Sequence, residues 1–78
     1  MMAWMHEKQE PLEFEAEGRL LHGFISFRQV DKFMWSYSVS YAGLLHRSSS
    51  RYAGSERDMM RLHGRFDLQD LVTRSSGS

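Results

Sequence analysis

Leu12-Glu13-Phe14-Glu15-Ala16-Glu17 alternates strictly between apolar and acidic positions. Period two marks a strand with one buried and one solvated face. Glu17-Gly18 follows as a two-residue turn, with glycine supplying the positive φ that tight hairpin turns need. Through that turn Phe14 pairs with Leu21, Leu12 with Gly23 and Glu13 with His22. One face then gathers Leu12, Phe14, Leu21, Ile25 and Phe27, and the other shows Glu13, Glu15 and Glu17.

Residues 35–41 form a third strand-like run. A five-residue loop over 29–33 pairs Phe27 with Trp35, Ile25 with Tyr37 and Gly23 with Val39, so all share the first apolar face. A loop one residue shorter would invert the strand and expose Trp35, Tyr37, Val39 and Tyr41. In the favoured register Ser36, Ser38 and Ser40 fall on the solvated side. Ala42-Gly43 turns the chain, and residues 44–48 read as a short edge strand that fades into Ser49, Ser50 and Arg51.

Beyond Gly54 the period changes. Ser55 is placed as a helix N-cap with Asp58 at the capping-box position, and Glu56 and Asp58 suit the positive end of the helix dipole. Met59, Leu62, His63 and Phe66 recur at i, i+3, i+4 and i+7, which predicts a covering stripe. Gly64 is the expected stop, with Asp67 opening a further turn that carries Leu68, Leu71 and Val72. A single helix through Gly64 is the alternative, since one internal glycine costs only about 1 kcal/mol. The expected fold is α+β: an antiparallel sheet of three to four strands, β-β-β-(β)-α, with a C-terminal helix packed on one face. Residues 1–11 read as a flexible N-terminal arm, 12–72 as one small domain and 73–78 as a disordered tail.

Composition narrows this picture. At 78 residues without cysteine, disulfides and thiolate zinc sites are excluded, and a core this small ordinarily needs an aromatic filling or a partner. The net charge is zero but uneven: residues 1–39 hold six acids and four bases (−2), residues 40–78 six arginines and four acids (+2). A general nucleic-acid binder would be basic overall. No apolar run reaches the ~18 residues of a membrane span, and no secretory leader is evident, so a cytoplasmic location is expected.

The run Trp35-x-Tyr37-x-Val39-x-Tyr41-x-Gly43, then a Ser-rich strand and a capped helix, resembles the sheet-plus-helix modules of plant-type DNA-binding domains and integrase arm-binding domains. The resemblance implies a small sheet covered by one helix. In those modules the sheet enters the major groove on a basic face, whereas the open face here carries Glu13, Glu15 and Glu17.

Candidate chemistry is sparse. No two of His6, His22, His46 and His63 have the i, i+4 spacing of helical metal ligands, so neither metal nor cofactor is expected. No serine sits in a Gly-x-Ser-x-Gly elbow, and no catalytic residues are assigned. Two charged constellations remain. Glu13, Glu15 and Glu17 form an acidic row, and Arg57, Arg61 and Arg65 align at i, i+4, i+8 on a helix ridge that Arg47 and Arg51 could extend. The expectation is a non-enzymatic binding module acting through protein–protein contact or self-association. It has the character of an inhibitor or adaptor from a phage or other mobile element, with no membrane or small-molecule substrate. The alternative is DNA binding through the arginine ridge.

Overall fold

The structure, a computed structural model, describes residues 9–76. The parts of the expected arm and tail at residues 1–8 and 77–78 lie outside the described residues. Five strands and one helix follow in order: β1 (Gln9–Ala16), β2 (Arg19–Gln29), β3 (Met34–Tyr41), β4 (Leu44–Arg47), β5 (Tyr52–Ala53) and α1 (Arg57–Ser76). All strand pairs are antiparallel. The sheet runs β1-β2-β3-β4, and β5 pairs with the Met34–Trp35 end of β3, on the edge whose other end β4 occupies. Helix α1 lies across one face, giving the α+β architecture of a sheet with a C-terminal helix. Residues 9–11 belong to β1 and residues 73–76 to α1, so both elements reach past the expected domain limits.

The first hairpin has the expected register: Phe14 opposes Leu21, Leu12 opposes Gly23 and Glu13 opposes His22. Glu17 (φ 55°) and Gly18 (φ 73°) both take left-handed conformations, as a type I′ turn requires. The second hairpin keeps the expected face but not the expected partners. Phe27 pairs with Tyr37 and Ile25 with Val39, a displacement of two residues. The cause lies in the turn: Asp31 Oδ1 accepts from the amides of Phe33 (3.0 Å) and Met34 (2.9 Å), while the Val30 amide donates to the Met34 carbonyl (2.9 Å). This side-chain-capped turn carries pairing on to Gln29 and moves the bend one residue later. An even displacement preserves facing, so Tyr37 and Val39 are buried and Trp35 and Tyr41 flank the core.

Ser36 departs from its expected place on a solvated face. It is buried, and its hydroxyl reaches the carbonyls of Ser48 (3.0 Å) and Ser50 (2.9 Å), fixing the loop that leaves β4. A buried hydroxyl needs such partners, because an unpaired one costs about 1–3 kcal/mol.

The helix departs most. It is continuous through Gly64, and its buried stripe is Met60, Gly64, Leu68 and Val72. Met59, Leu62 and Phe66 point outward, 45%, 43% and 58% exposed. Gly64 is a contact point and not a stop. A Cβ built there would lie 3.0 Å from Ile25 Cδ1, 3.1 Å from Val39 Cγ1 and 3.3 Å from Leu12 Cδ2. Gly23 makes the reciprocal space in the sheet, beneath Leu68 and beside Phe14, and not opposite Val39 as the expected register had it. The N-cap position falls on Glu56 in place of Ser55: its carbonyl accepts from the Met60 amide (3.1 Å), while its carboxylate turns back to accept from the Ala53 amide (2.7 Å).

Candidate functional site

The helix ridge exists, but it faces the protein. Arg57 sits over the rings of Phe27 and Trp35, at 5.0 and 5.1 Å, and its Nε is buried without a hydrogen-bond partner. Arg61 bonds Glu10 (2.6 Å) and Asp58 (2.8 Å) and also lies over Phe27 at 5.5 Å. Arg65 Nε donates to the Glu13 carbonyl (3.1 Å). Arg57 thus rests on rings of β2 and β3, while Arg61 and Arg65 tie the helix to the outer edge of β1. Pro11, which lacks an N–H, further blunts that edge against strand addition. Arg47 lies on β4 and Arg51 near Asp31 (3.7 Å), on the opposite side of the sheet, so the five arginines do not form one patch.

The Arg61 hydrogen bond holds the Glu10 carboxyl below its usual range, and the same pairing raises the Arg61 guanidinium. A depressed carboxylate stabilises the fold above its unfolded-state pKa and loses that contribution as pH falls. Both side chains are about one-third exposed (30% and 37%), so solvent screening keeps the effect small. Arg61→Ala is expected to cost about 1 kcal/mol at pH 7, ring contact included, with the difference from wild type shrinking as pH drops through the carboxylate range. Urea denaturation at pH 7 and pH 3 measures both.

Glu13, Glu15 and Glu17 are exposed as expected, with Glu13 3.7 Å from His22. They lie at the β1 margin of the sheet face that α1 leaves uncovered, and Glu13 and Glu15 also line a groove that Arg65 borders.

One polar constellation was not legible in the sequence. Between α1, β3, β4 and β5 lies a cleft of about 340 Å³ lined by Tyr37, His46, Ser48, Tyr52, His63 and Asp67. The Tyr37 hydroxyl donates to Asp67 Oδ2, with His46 Nε2 3.7 Å from the same oxygen, and the Tyr52 hydroxyl meets His63 Nδ1 at 2.7 Å. Burial, then the bond to Asp67, pushes the Tyr37 hydroxyl far above its ordinary pKa, so it acts as a fixed donor and not as a base. Ser48 Oγ accepts from the Ser50 amide (3.1 Å), which closes the loop on itself. The Tyr37–Asp67 and Tyr52–His63 bonds tie β3 and β5 to the helix. Among the described residues no three His, Cys, Asp or Glu side chains converge as a metal site. Tyr37 and Asp67 stand 30 positions apart, and no spacing rule links residues so distant.

The remaining feature is the outer stripe of α1. Leu62 and Phe66, with Phe14, Leu20, Arg65 and Gln69, line a groove of about 370 Å³ along the β1 edge. Among the described residues no helix is long and apolar enough to cross a membrane. Comparison of the chain with protein-family models, curated proteins and solved structures gave no match.

Proposed function

We propose that this chain is a non-enzymatic protein-binding module, engaging its partner through the outer face of α1. The observation that carries the reading is the solvent exposure of Met59, Leu62 and Phe66 beside a groove. Large apolar side chains repeating at i, i+3, i+7 on a free helix face suit an amphipathic partner helix laid along them. The charged alternatives supply less. Arg57, Arg61 and Arg65 are engaged with aromatic rings, carboxylates and a carbonyl, which weakens the continuous ridge that phosphate binding would use.

Leu62→Glu/Phe66→Glu is expected to abolish partner capture from host extract while shifting stability by no more than about 0.5 kcal/mol, since both sites are at the surface. Arg47→Ala/Arg51→Ala is expected to leave capture intact. The check is quantitative cross-linking with mass spectrometry on all three proteins. Equal capture by wild type and the helix-face variant would remove the proposal.

A further inference from the structure

We infer that the sheet face left bare by α1 is a two-fold dimer surface, occupied by a second copy of this chain. Its centre is apolar: Pro11, Phe24, Ser40 and Leu45 form one transverse row across β1, β2, β3 and β4. Phe24 is 47% exposed, Leu45 61% and the nearby Leu20 57%. Around them the face is made of short side chains, Ser26, Ser38 and Ser40, so it is low enough for a second sheet to approach at the roughly 10 Å of face-to-face packing.

Charge selects the occupant. Counting pairs from the Phe24 row towards the β1–β2 turn, Glu13 stands in the first pair and Glu15 in the second. Counting the other way, Arg47 stands in the first row, with Ser26 and Ser38, and Arg28 in the second, opposite Ser36. Each step is about 7 Å along the strands. Acid and base are therefore displaced equally and oppositely from Phe24. A two-fold axis lying in the face and passing through Phe24 lays the acidic end of each copy over the basic end of the other, which is the self-complementarity an isologous contact needs. A two-fold axis running along the strands would instead set acid on acid. The other titratable group on this face, His22, already stands 3.7 Å from Glu13 and adds no opposing charge to the acidic end. At the basic end Arg28 Nε is buried without a hydrogen-bond partner, and among the described residues no carboxylate pairs with Arg47.

Four strands at about 4.8 Å spacing, averaging about 25 Å in length although β4 is only about half that, present on the order of 500 Å² of planar area. A standard interface takes about 800 Å² per partner, so the dimer is weak and salt-sensitive. The inference does not rest on the helix-face reading, although Glu13, Glu15 and Leu20 border the helix-side groove as well as this face.

Sedimentation equilibrium from about 1 to 300 μM at low salt tests it, on a range matched to a small interface. Wild type is expected to show a concentration-dependent monomer–dimer equilibrium. Phe24→Glu, or the milder Phe24→Ser that copies its neighbours, is expected to raise Kd by at least about 30-fold, as loss of a central anchor does. Glu13→Arg/Glu15→Arg and the exposed-site variant Arg47→Glu are each expected to weaken self-association, and their equimolar mixture to regain dimer. Leu62→Glu/Phe66→Glu is expected to dimerise like wild type. A monomer at every concentration overturns the inference, as does a dimer indifferent to both Phe24 variants, one lost with the helix-face variant, or a mixture that stays monomeric. Dimerisation without partner capture would sink only the proposed function, and capture by a strict monomer only this inference.

Discussion

Gly64→Val is expected to remove about 3 kcal/mol of stability, enough to unfold much of the population of so small a domain at 25 °C. Valine is the better helix former by a few tenths of a kcal/mol, so local propensity argues the other way. Packing decides. The first added carbon alone would stand 3.0–3.3 Å from side-chain atoms of Ile25, Val39 and Leu12, and valine adds two methyls beyond it. Ile25 and Val39 are fully buried and have nowhere to retreat. Gly64→Ala meets the same atoms with one carbon, and a propensity gain of about 1 kcal/mol offsets much of its crowding. Pairing Gly64→Val with Ile25→Ala makes room and is expected to recover part of the loss, as directly coupled sites do. Urea midpoints followed by Trp35 fluorescence report all three. A Gly64→Val protein as stable as wild type would show that the helix does not lie this close to the sheet.

Alkaline pH is expected to destabilise the protein through one residue. Burial and the bond to Asp67 hold the Tyr37 hydroxyl protonated in the folded state, whereas an unfolded tyrosine ionises near ~10. The folded pKa is raised, so the folded state keeps a proton that the unfolded state releases. Stability from this group is fully present below about pH 10 and falls above it by up to ~1.4 kcal/mol per pH unit. Tyr37→Phe is expected to cost about 1–2 kcal/mol at pH 7, because Asp67 loses its donor. It is also expected to flatten the alkaline slope. Urea melts of both proteins between pH 7 and pH 11 separate the two effects. Equal slopes would show that the phenol is not held in its neutral form.

The sheet was legible because its signals are local and redundant. The alternation at 12–17, the Glu17-Gly18 turn and the aromatic parity of Trp35, Tyr37 and Val39 all point one way. The second register was missed because one side chain, Asp31, moved the bend, and parity rescued the face although the partners changed. The helix rotation was not legible by hydrophobicity. Two stripes compete on α1, and the one that faces the core includes Gly64, which scores as nothing in an apolar count yet allows the closest approach. The arginine spacing is visible in the sequence, and its contacts are not, because they depend on where β1 ends up in space. Ser36 and the Tyr37–Asp67 pair were unreadable for the same reason.

The strands meet as a succession of neighbours, and α1 then reaches back to β1, joining Arg61 to Glu10 across 51 positions. On a ribosome the whole meander therefore emerges before its cover does. Leu12, Phe14, Ile25 and Val39 gain their cover only when the last element docks. A chain cut short before α1 keeps the strands and loses the layer that closes them off from solvent.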